Sequence, residues 1–344
     1  MFRFECDYQE GCHPRILARM AETNLEQTSG YGADPHCKRA RALIQKAVGV
    51  PDAEVHFLVG GTQTNATVIK ALLRPCQGVL CVESGHINVH EAGAIESTGH
   101  KVLSLQGKRG LLDAGTVRQY LKDFYDDETR EHRVQPGMVY ISHPSEYGTL
   151  YSKRQLEELR AVCTDYGLPL FLDGARLGYG VTAQGTDVTV QDVARLCDVF
   201  YIGGTKVGAL FGEAVVRSRP GRLKDFRTLI KQQGGMLAKG RLLGIQFETL
   251  FEDGLYFEIA RHANEQAMRI RAAFLERGFP LFIDSPTNQQ FPILTEYQIE
   301  QLKGEFSFER WQRMDEERSA VRFCTSWATT PESVDALTAR IGTL

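Results

Sequence analysis

The stretch VFYIGGTKVGALFGEAVV, residues 199–216, holds a single lysine, Lys206, in a run that is otherwise uncharged until Glu213. Its two ends, rich in β-branched and aromatic residues, read as strands around a glycine-rich turn. An ammonium group leaves water at a cost of several kcal/mol unless its charge is matched or lost. One reading is a lysine that snorkels from a strand end into solvent. The other is a lysine in a crowded, poorly hydrated pocket, where desolvation favours the neutral amine that attacks a carbonyl.

Working outward, short apolar runs alternate with longer amphipathic ones from about Val55 to Ser218. This predicts strands near 55–59, 78–83, 101–105, 137–142, 168–173, 199–204 and 213–218. The expected fold is α/β, a mainly parallel seven-stranded sheet covered by helices. In SKRQLEELRAVCTDYG, Leu156, Leu159 and Val162 recur at helical spacing and Gly167 follows as a stop. Beyond about Gly235 the texture turns helical, then strand-like in FPLFID, QFPILT and VRFCTSW. The division expected is a large domain over 15–240 and a smaller α+β domain over 241–344, with residues 1–14 near the site.

A sheet of this kind gathers its functional groups at the carboxyl ends of its strands. After the first run comes GGTQTN (60–65), after the second SGHINVHE (84–91), after the fifth DGAR (173–176) and after the sixth Thr205-Lys206. Gly61 and Thr62 would open a helix whose free N–H groups suit an anion, or would simply form a capped strand-to-helix turn. The absence of GxGxxG and GxxxxGK[ST] disfavours a dinucleotide or nucleoside triphosphate. Asp173, at the end of an apolar strand, needs a partner; Arg176 is one candidate and a ring nitrogen another, which would leave Arg176 free for an anion.

An acid and a lysine on neighbouring strand ends, opposite an anion site, form the set that pyridoxal 5'-phosphate requires. Lys206 would form the Schiff base, Asp173 would keep the pyridine nitrogen protonated, and His86 would pack on the ring. The glycines and Thr205 would let the backbone approach a flat cofactor. His86 and His90, four apart, also have the spacing of zinc ligands, but no third ligand is evident and the HExxH order is missing, so no metal is expected.

Composition agrees with a small-molecule enzyme. The 344 residues carry a net charge of −3, which offers no basic field for nucleic acid or an anionic membrane. The first segment, MFRFECDYQEGCHPR, is not a signal peptide and no run suits a membrane span, so a cytoplasmic location is expected. The eight cysteines form no CxxC pair and are expected to be reduced. DDETREHR (126–133) reads as a solvated loop.

GYGADP (30–35), GGTQTN, HINVHEAGA (86–94), LDGARL (172–177) and GGTKVGALFGEAVV (203–216) together resemble the threonine aldolase family of fold type I pyridoxal-phosphate enzymes, in the β-eliminating lyase group. The resemblance runs from about Phe4 to Trp327. It implies cleavage of threonine or allo-threonine to glycine and an aldehyde, with β-elimination or racemisation, or cofactor binding without catalysis, as alternatives. It also implies that Arg176 and Arg322 bind the substrate carboxylate and the cofactor's oxygen edge, that Tyr31 approaches from a partner subunit, and that His132 is a second catalytic histidine. A homodimer or homotetramer with shared sites follows from it, and Lys231, Lys239 and Arg241 could lend a cation to a neighbour's phosphate or form a solvated helix face. The family's usual serine-aspartate pair reads Cys6-Asp7 here, followed by a bulky Tyr8, which bears on substrate choice.

Overall fold

The computed structural model describes residues 1–219 and 223–344. A two-residue strand β1 (Phe2–Arg3) and helices α1 (Pro14–Glu22) and α2 (Pro35–Val48) precede the main sheet. The alternating region follows as β2 (Glu54–Leu58), α3 (Gly61–Leu72), β3 (Gln77–Val82), α4 (His86–Val89), β4 (Val102–Leu105), α5 (Ala114–Asp126), β5 (Gln135–Ser142), α6 (Lys153–Asp165), β6 (Leu170–Asp173), α7 (Leu177–Val181), α8 (Val190–Leu196), β7 (Val199–Gly203) and β8 (Glu213–Arg217). All seven expected strands are there, within two residues at either end.

The sheet order is β2-β8-β7-β6-β5-β3-β4. β8 runs antiparallel to both its neighbours and the remaining pairs are parallel. Every residue of β6 and β7 is buried, as expected where helices cover both faces. One core fills one face, with Ile44, Leu80, Leu172 and Phe200; a second, with Val68, Val79, Phe171 and Tyr201, fills the other. Side chains of adjacent strand residues thus alternate between two dry layers.

The chain continues through α9 (Phe226–Gln232), α10 (Arg241–Phe251), α11 (Leu255–Glu276), β9 (Leu281–Ile283), β10 (Gln289–Thr295), α12 (Glu296–Lys303), β11 (Phe306–Ser307), β12 (Glu309–Arg313), β13 (Arg318–Cys324) and α13 (Pro331–Ile341). β12, β13, β10 and β9 form a second, four-stranded sheet in that order. A third core lies beneath it, containing Ile270, Phe274, Leu294 and Phe323.

The cores change over inside α11 rather than at 240/241. Every residue of α10 from Leu243 to Phe251 is buried, and Leu243, Phe247, Tyr256 and Ala263 belong to the large core. A helix that is apolar nearly all round must be covered on all sides, and α10 is packed between α2 and the sheet. The amino terminus bridges the two parts: Phe4 lies in the small core, where β1 pairs with β11, whereas Cys12 and Ile16 lie in the large one. Asp7 sits between them.

Candidate active site

Asp173, the last residue of β6, is 4% exposed and accepts four hydrogen bonds. Oδ1 receives the Tyr201 hydroxyl at 2.5 Å and the Ala175 amide at 2.9 Å; Oδ2 receives the Tyr140 hydroxyl at 2.6 Å and Asn65 Nδ2 at 3.0 Å. Burial opposes ionisation, but the charge of His86 and the hydrogen bonds from Tyr140 and Tyr201 outweigh it and hold the carboxyl below its ordinary value. The two phenols stay protonated donors, because burial and the Asp173 charge push them well above the usual tyrosine range.

Helix α3 brings the next parts. Its N-cap is Gly60, which supplies no side-chain cap, so the amides of the first turn, from Gly61 and Thr62 onward, have no capping side chain. These N–H groups and the helix dipole favour an anion there. The helix starts beside the Asp173 cluster: a Cβ at Gly61 would lie 3.4 Å from the Tyr201 hydroxyl. One turn on, Asn65 Nδ2 bonds both Asp173 and Glu91 Oε1, the latter at 2.7 Å. Glu91 Oε1 also holds His86 Nδ1 at 2.7 Å. Burial lowers the affinity of His86 for a proton, but Glu91, Glu146 and Asp173 more than offset this and the imidazole is raised above its ordinary value. With Nδ1 fixed, Nε2 is the ring nitrogen left for other work.

Lys206 is half-buried in the turn between β7 and β8. Its backbone is clamped, since the Tyr179 hydroxyl donates to the Lys206 carbonyl at 2.5 Å and the Tyr256 hydroxyl to the Gly203 carbonyl at 3.0 Å. The turn also lies hard against the loop after Asp173. A Cβ at Gly203 would stand 2.1 Å from the Ala175 carbonyl oxygen, and one at Gly174 would stand 2.0 Å from that of Tyr201, so only glycine lets these two strand ends meet. The Tyr8 ring covers the amine, its centroid 5.9 Å from Nζ.

Arg176 is not the partner of Asp173. It pairs bidentately with Asp7, Nε to Oδ2 at 2.6 Å and Nη2 to Oδ1 at 3.0 Å, and Asn288 Nδ2 adds a third bond to Asp7 at 2.9 Å. Burial works against the Asp7 anion, but the positive charges of Arg176 and Lys206 overcome it and hold the carboxyl at about 2. Nη1 of Arg176 is the nitrogen of that fork with no hydrogen bond among the described residues. Arg322, on β13, is 8% exposed; it bonds Gln289 Oε1 at 3.0 Å and the Glu5 carbonyl at 3.2 Å, pairs with Glu309 and stacks on Trp311. Cys6 lies next to Asp7, its thiol pushed up by burial.

Three expectations change. His132 is exposed and closes a short turn leading into the amino end of β5. An eight-residue strand at about 3.3 Å per residue puts it about 25 Å from the carboxyl end, so it does not join this chain's own site. The Thr205 hydroxyl is taken up within its own turn: it donates to Glu213 Oε1 at 2.9 Å and accepts from the Gly212 amide at 3.0 Å. Arg241 bonds the carbonyls of Glu26 and Asn24 in its own chain. Tyr31 is exposed, at φ 58°, beneath Lys231 with Nζ 4.8 Å from its ring. The rings of His86 and His90 stand 5.6 Å apart, and no cluster of three metal-ligating side chains occurs among the described residues. The DDETREHR loop is exposed at every residue but Asp127, which pairs with Arg133 at 2.9 Å.

Residues 6–295 match the beta-eliminating lyase family. A low specificity L-threonine aldolase from Pseudomonas aeruginosa is 30% identical over 338 residues, covering 97% of this chain and 95% of that protein. The chain belongs to the threonine aldolase branch of the beta-eliminating lyases. Another relative, the low specificity L-threonine aldolase of Saccharomyces cerevisiae, is 26% identical over 293 residues, 80% of this chain and 70% of that one. The solved structure of Leishmania major threonine aldolase superposes with a TM-score of 0.97 at 42% identity, covering 100% of this chain and 99% of that one. An aspartate aminotransferase variant from Thermus thermophilus shares the fold, with a TM-score of 0.72 at 14% identity. Family and fold thus make this chain a lyase of fold type I. No helix among the described residues is long and apolar enough to cross a membrane.

Proposed function

We propose that this enzyme cleaves β-hydroxy-α-amino acids such as L-threonine or L-allo-threonine, reversibly, to glycine and an aldehyde, with pyridoxal 5'-phosphate held at Lys206. The observation that carries the reading is that the strand end leading to Lys206 packs against the loop after Asp173, whose ionised carboxyl shares Asn65 with the Glu91–His86 pair and lies beside the uncapped start of α3. The donor set fits the cofactor: an amine for its aldehyde, N–H groups for its phosphate, a carboxylate for its ring nitrogen and a flat imidazole for its face. When bound, pyridoxal phosphate supplies the electron sink that makes cleavage of the Cα–Cβ bond feasible.

The chain's own residues do the rest. The four donors on Asp173 fill the lone-pair directions of a carboxylate, so a ring N–H takes the place of one; Asn65, already bonded to Glu91, is the donor with an alternative partner. Arg176 turns its free Nη1 toward the substrate carboxylate because Asp7 holds the opposite edge of the guanidinium, and Arg322 is fixed nearby by Glu309, Gln289 and Trp311. His86, oriented through Nδ1 by Glu91, takes the β-hydroxyl proton at Nε2 as the bond breaks and returns it in the synthetic direction.

We infer in addition, from the family's resemblance alone, a homodimer or homotetramer in which a neighbouring copy borders the site, working in the cytoplasm; exposed Tyr31, under Lys231 of its own chain, is the residue that such a neighbour would receive. The test is direct. The purified protein with added cofactor should release aldehyde and glycine from L-threonine and L-allo-threonine, and Lys206→Ala should lose both turnover and the visible absorbance of the lysine-bound cofactor. Release of ammonia and a keto acid, or a Lys206→Ala protein that keeps its turnover, refutes the proposal.

A further inference from the structure

Glu213 is a fully enclosed acid with no part in the steps above. It is the first residue of β8, directly across the ladder from Gly203, and 3% exposed. Its carboxyl grips the two residues that precede Lys206: Oε2 accepts the Gly204 amide at 3.0 Å and Oε1 the Thr205 hydroxyl at 2.9 Å. The same turn is tied a second time, because the Gly204 and Thr205 amides reach the Gly212 carbonyl at 3.0 and 3.1 Å and the Gly212 amide returns to the Thr205 hydroxyl at 3.0 Å. Both oxygens of one acid therefore hold the backbone and side chain from which the lysine projects.

No arginine or lysine forms an ion pair with Glu213 among the described residues. The charged groups that act on it are Lys206, on the same turn, and Asp173, at the neighbouring end of β6; the phenols of Tyr201 on β7 and Tyr256 on α11 are also within its field and stay protonated. Burial pushes the Glu213 carboxyl up to about 8, against the hydrogen bond from Thr205 and the charge of Lys206. An acid held in this way changes charge at mildly alkaline pH while gripping Thr205, the residue next to Lys206.

We propose that Glu213 is the positioning residue of Lys206: bound to Gly204 and Thr205, it holds the lysine turn in place and, by gaining or losing its own proton, sets how firmly the lysine nitrogen keeps its proton. This rests on the reading of Lys206 as the cofactor lysine. When Glu213 is ionised, its charge favours the protonated nitrogen; when it is protonated, that support is withdrawn. Glutamine reproduces the shape of the protonated acid and can never ionise.

The experiment compares wild type, Glu213→Gln and Thr205→Val, each loaded with pyridoxal phosphate, by following the visible absorbance of the lysine-bound cofactor across pH. In Glu213→Gln the midpoint should fall by about half a pH unit or more, while the acidic limbs of the two proteins coincide. Thr205→Val keeps the acid but removes its hydroxyl donor, so Glu213 holds its proton to higher pH and the midpoint falls by less. A purely structural role would lower melting temperature or cofactor retention and leave the midpoint where it was. Midpoints within about 0.1 unit of wild type in whichever variants fold overturn the proposal. A visible band in wild type that does not change with pH also overturns the proposal, whereas a wild-type protein with no visible band at all refutes the assignment of Lys206 itself, which is a separate failure.

Discussion

Asp7→Asn tests whether the buried pair with Arg176 is both a structural clamp and the device that aims the guanidinium. The Asp7 carboxyl is 0% exposed and held at about 2 against an ordinary 3.8. A difference of roughly two units corresponds to about 2.5 kcal/mol of stability. Because the folded value lies below the unfolded one, this stabilisation is complete above the unfolded value and is lost as the pH falls toward the folded one. By the same relation about 2.5 kcal/mol is present near pH 6 and roughly half of it near pH 3. Removing the partner altogether leaves Arg176 buried and unpaired, at about 3–5 kcal/mol. Asparagine keeps the shape and one acceptor, so its cost should sit near the lower figure. The assay is urea unfolding of the cofactor-free protein at one fixed concentration, since both bound cofactor and self-association move apparent stability. The gap between wild type and Asp7→Asn should narrow by about 1 kcal/mol between about pH 6 and about pH 3. A gap that stays constant over that interval would show that the pair does not depend on the Asp7 charge, and the account of how Arg176 is aimed would fall with it.

Three further substitutions probe the site. Tyr8 borders the place where a substrate amine must meet Lys206: Cβ lies about 2.5 Å beyond that amine and a ring contact adds about 3.5–4 Å, close to the 5.9 Å found, so Tyr8→Ala should raise kcat/KM for L-phenylserine over L-threonine roughly tenfold. An unchanged ratio would remove Tyr8 from substrate selection. Glu91→Gln takes away the first of the interactions that raise His86; the base form then appears at lower pH, and the acidic limb of kcat/KM should move downward, whereas an unmoved limb assigns the proton transfer elsewhere. Gly203→Ala would place a methyl 2.1 Å from the Ala175 carbonyl oxygen, a clash costing about 1–3 kcal/mol or more, and the variant should release cofactor on dialysis that wild type retains; equal retention would mean that the two strand ends can part without consequence.

The strands were legible because each is a short apolar run ended by glycine, aspartate or a polar turn, and because central strands buried on both faces leave little room for other residue types. Asp173, His86, Gly61 and Lys206 stood out for a related reason: each lies at or just past the end of a strand, where a charged or small residue is conspicuous. The partners of these residues were not. Tyr140 and Tyr201 look like ordinary apolar strand residues, and only the fold turns both hydroxyls onto one carboxylate. Asp7 and Arg176 are 169 residues apart, and nothing local distinguishes their pairing from the nearer one of Arg176 with Asp173. His132 shows the converse, since resemblance implied a role while its place at the amino end of β5 keeps it out of this chain's own site.

Glu213 lies between these extremes. Seven positions separate it from Lys206, enough for the lysine to look unaccompanied along the chain. Yet β7 and β8 pair antiparallel with Val199 opposite Arg217 and Tyr201 opposite Val215, and that register forces Gly203 opposite Glu213. The connection alone does not announce the pairing, because a strand after such a turn can return beside its predecessor or cross to another edge. Once the return is known, the alternation of the strand sends Glu213 and Val215 to one face, and the turn that displays Lys206 must lie against the acid. The lysine that looked unpaired along the chain therefore has a carboxyl at its back, put there by one antiparallel strand in a sheet whose other strands all run the opposite way.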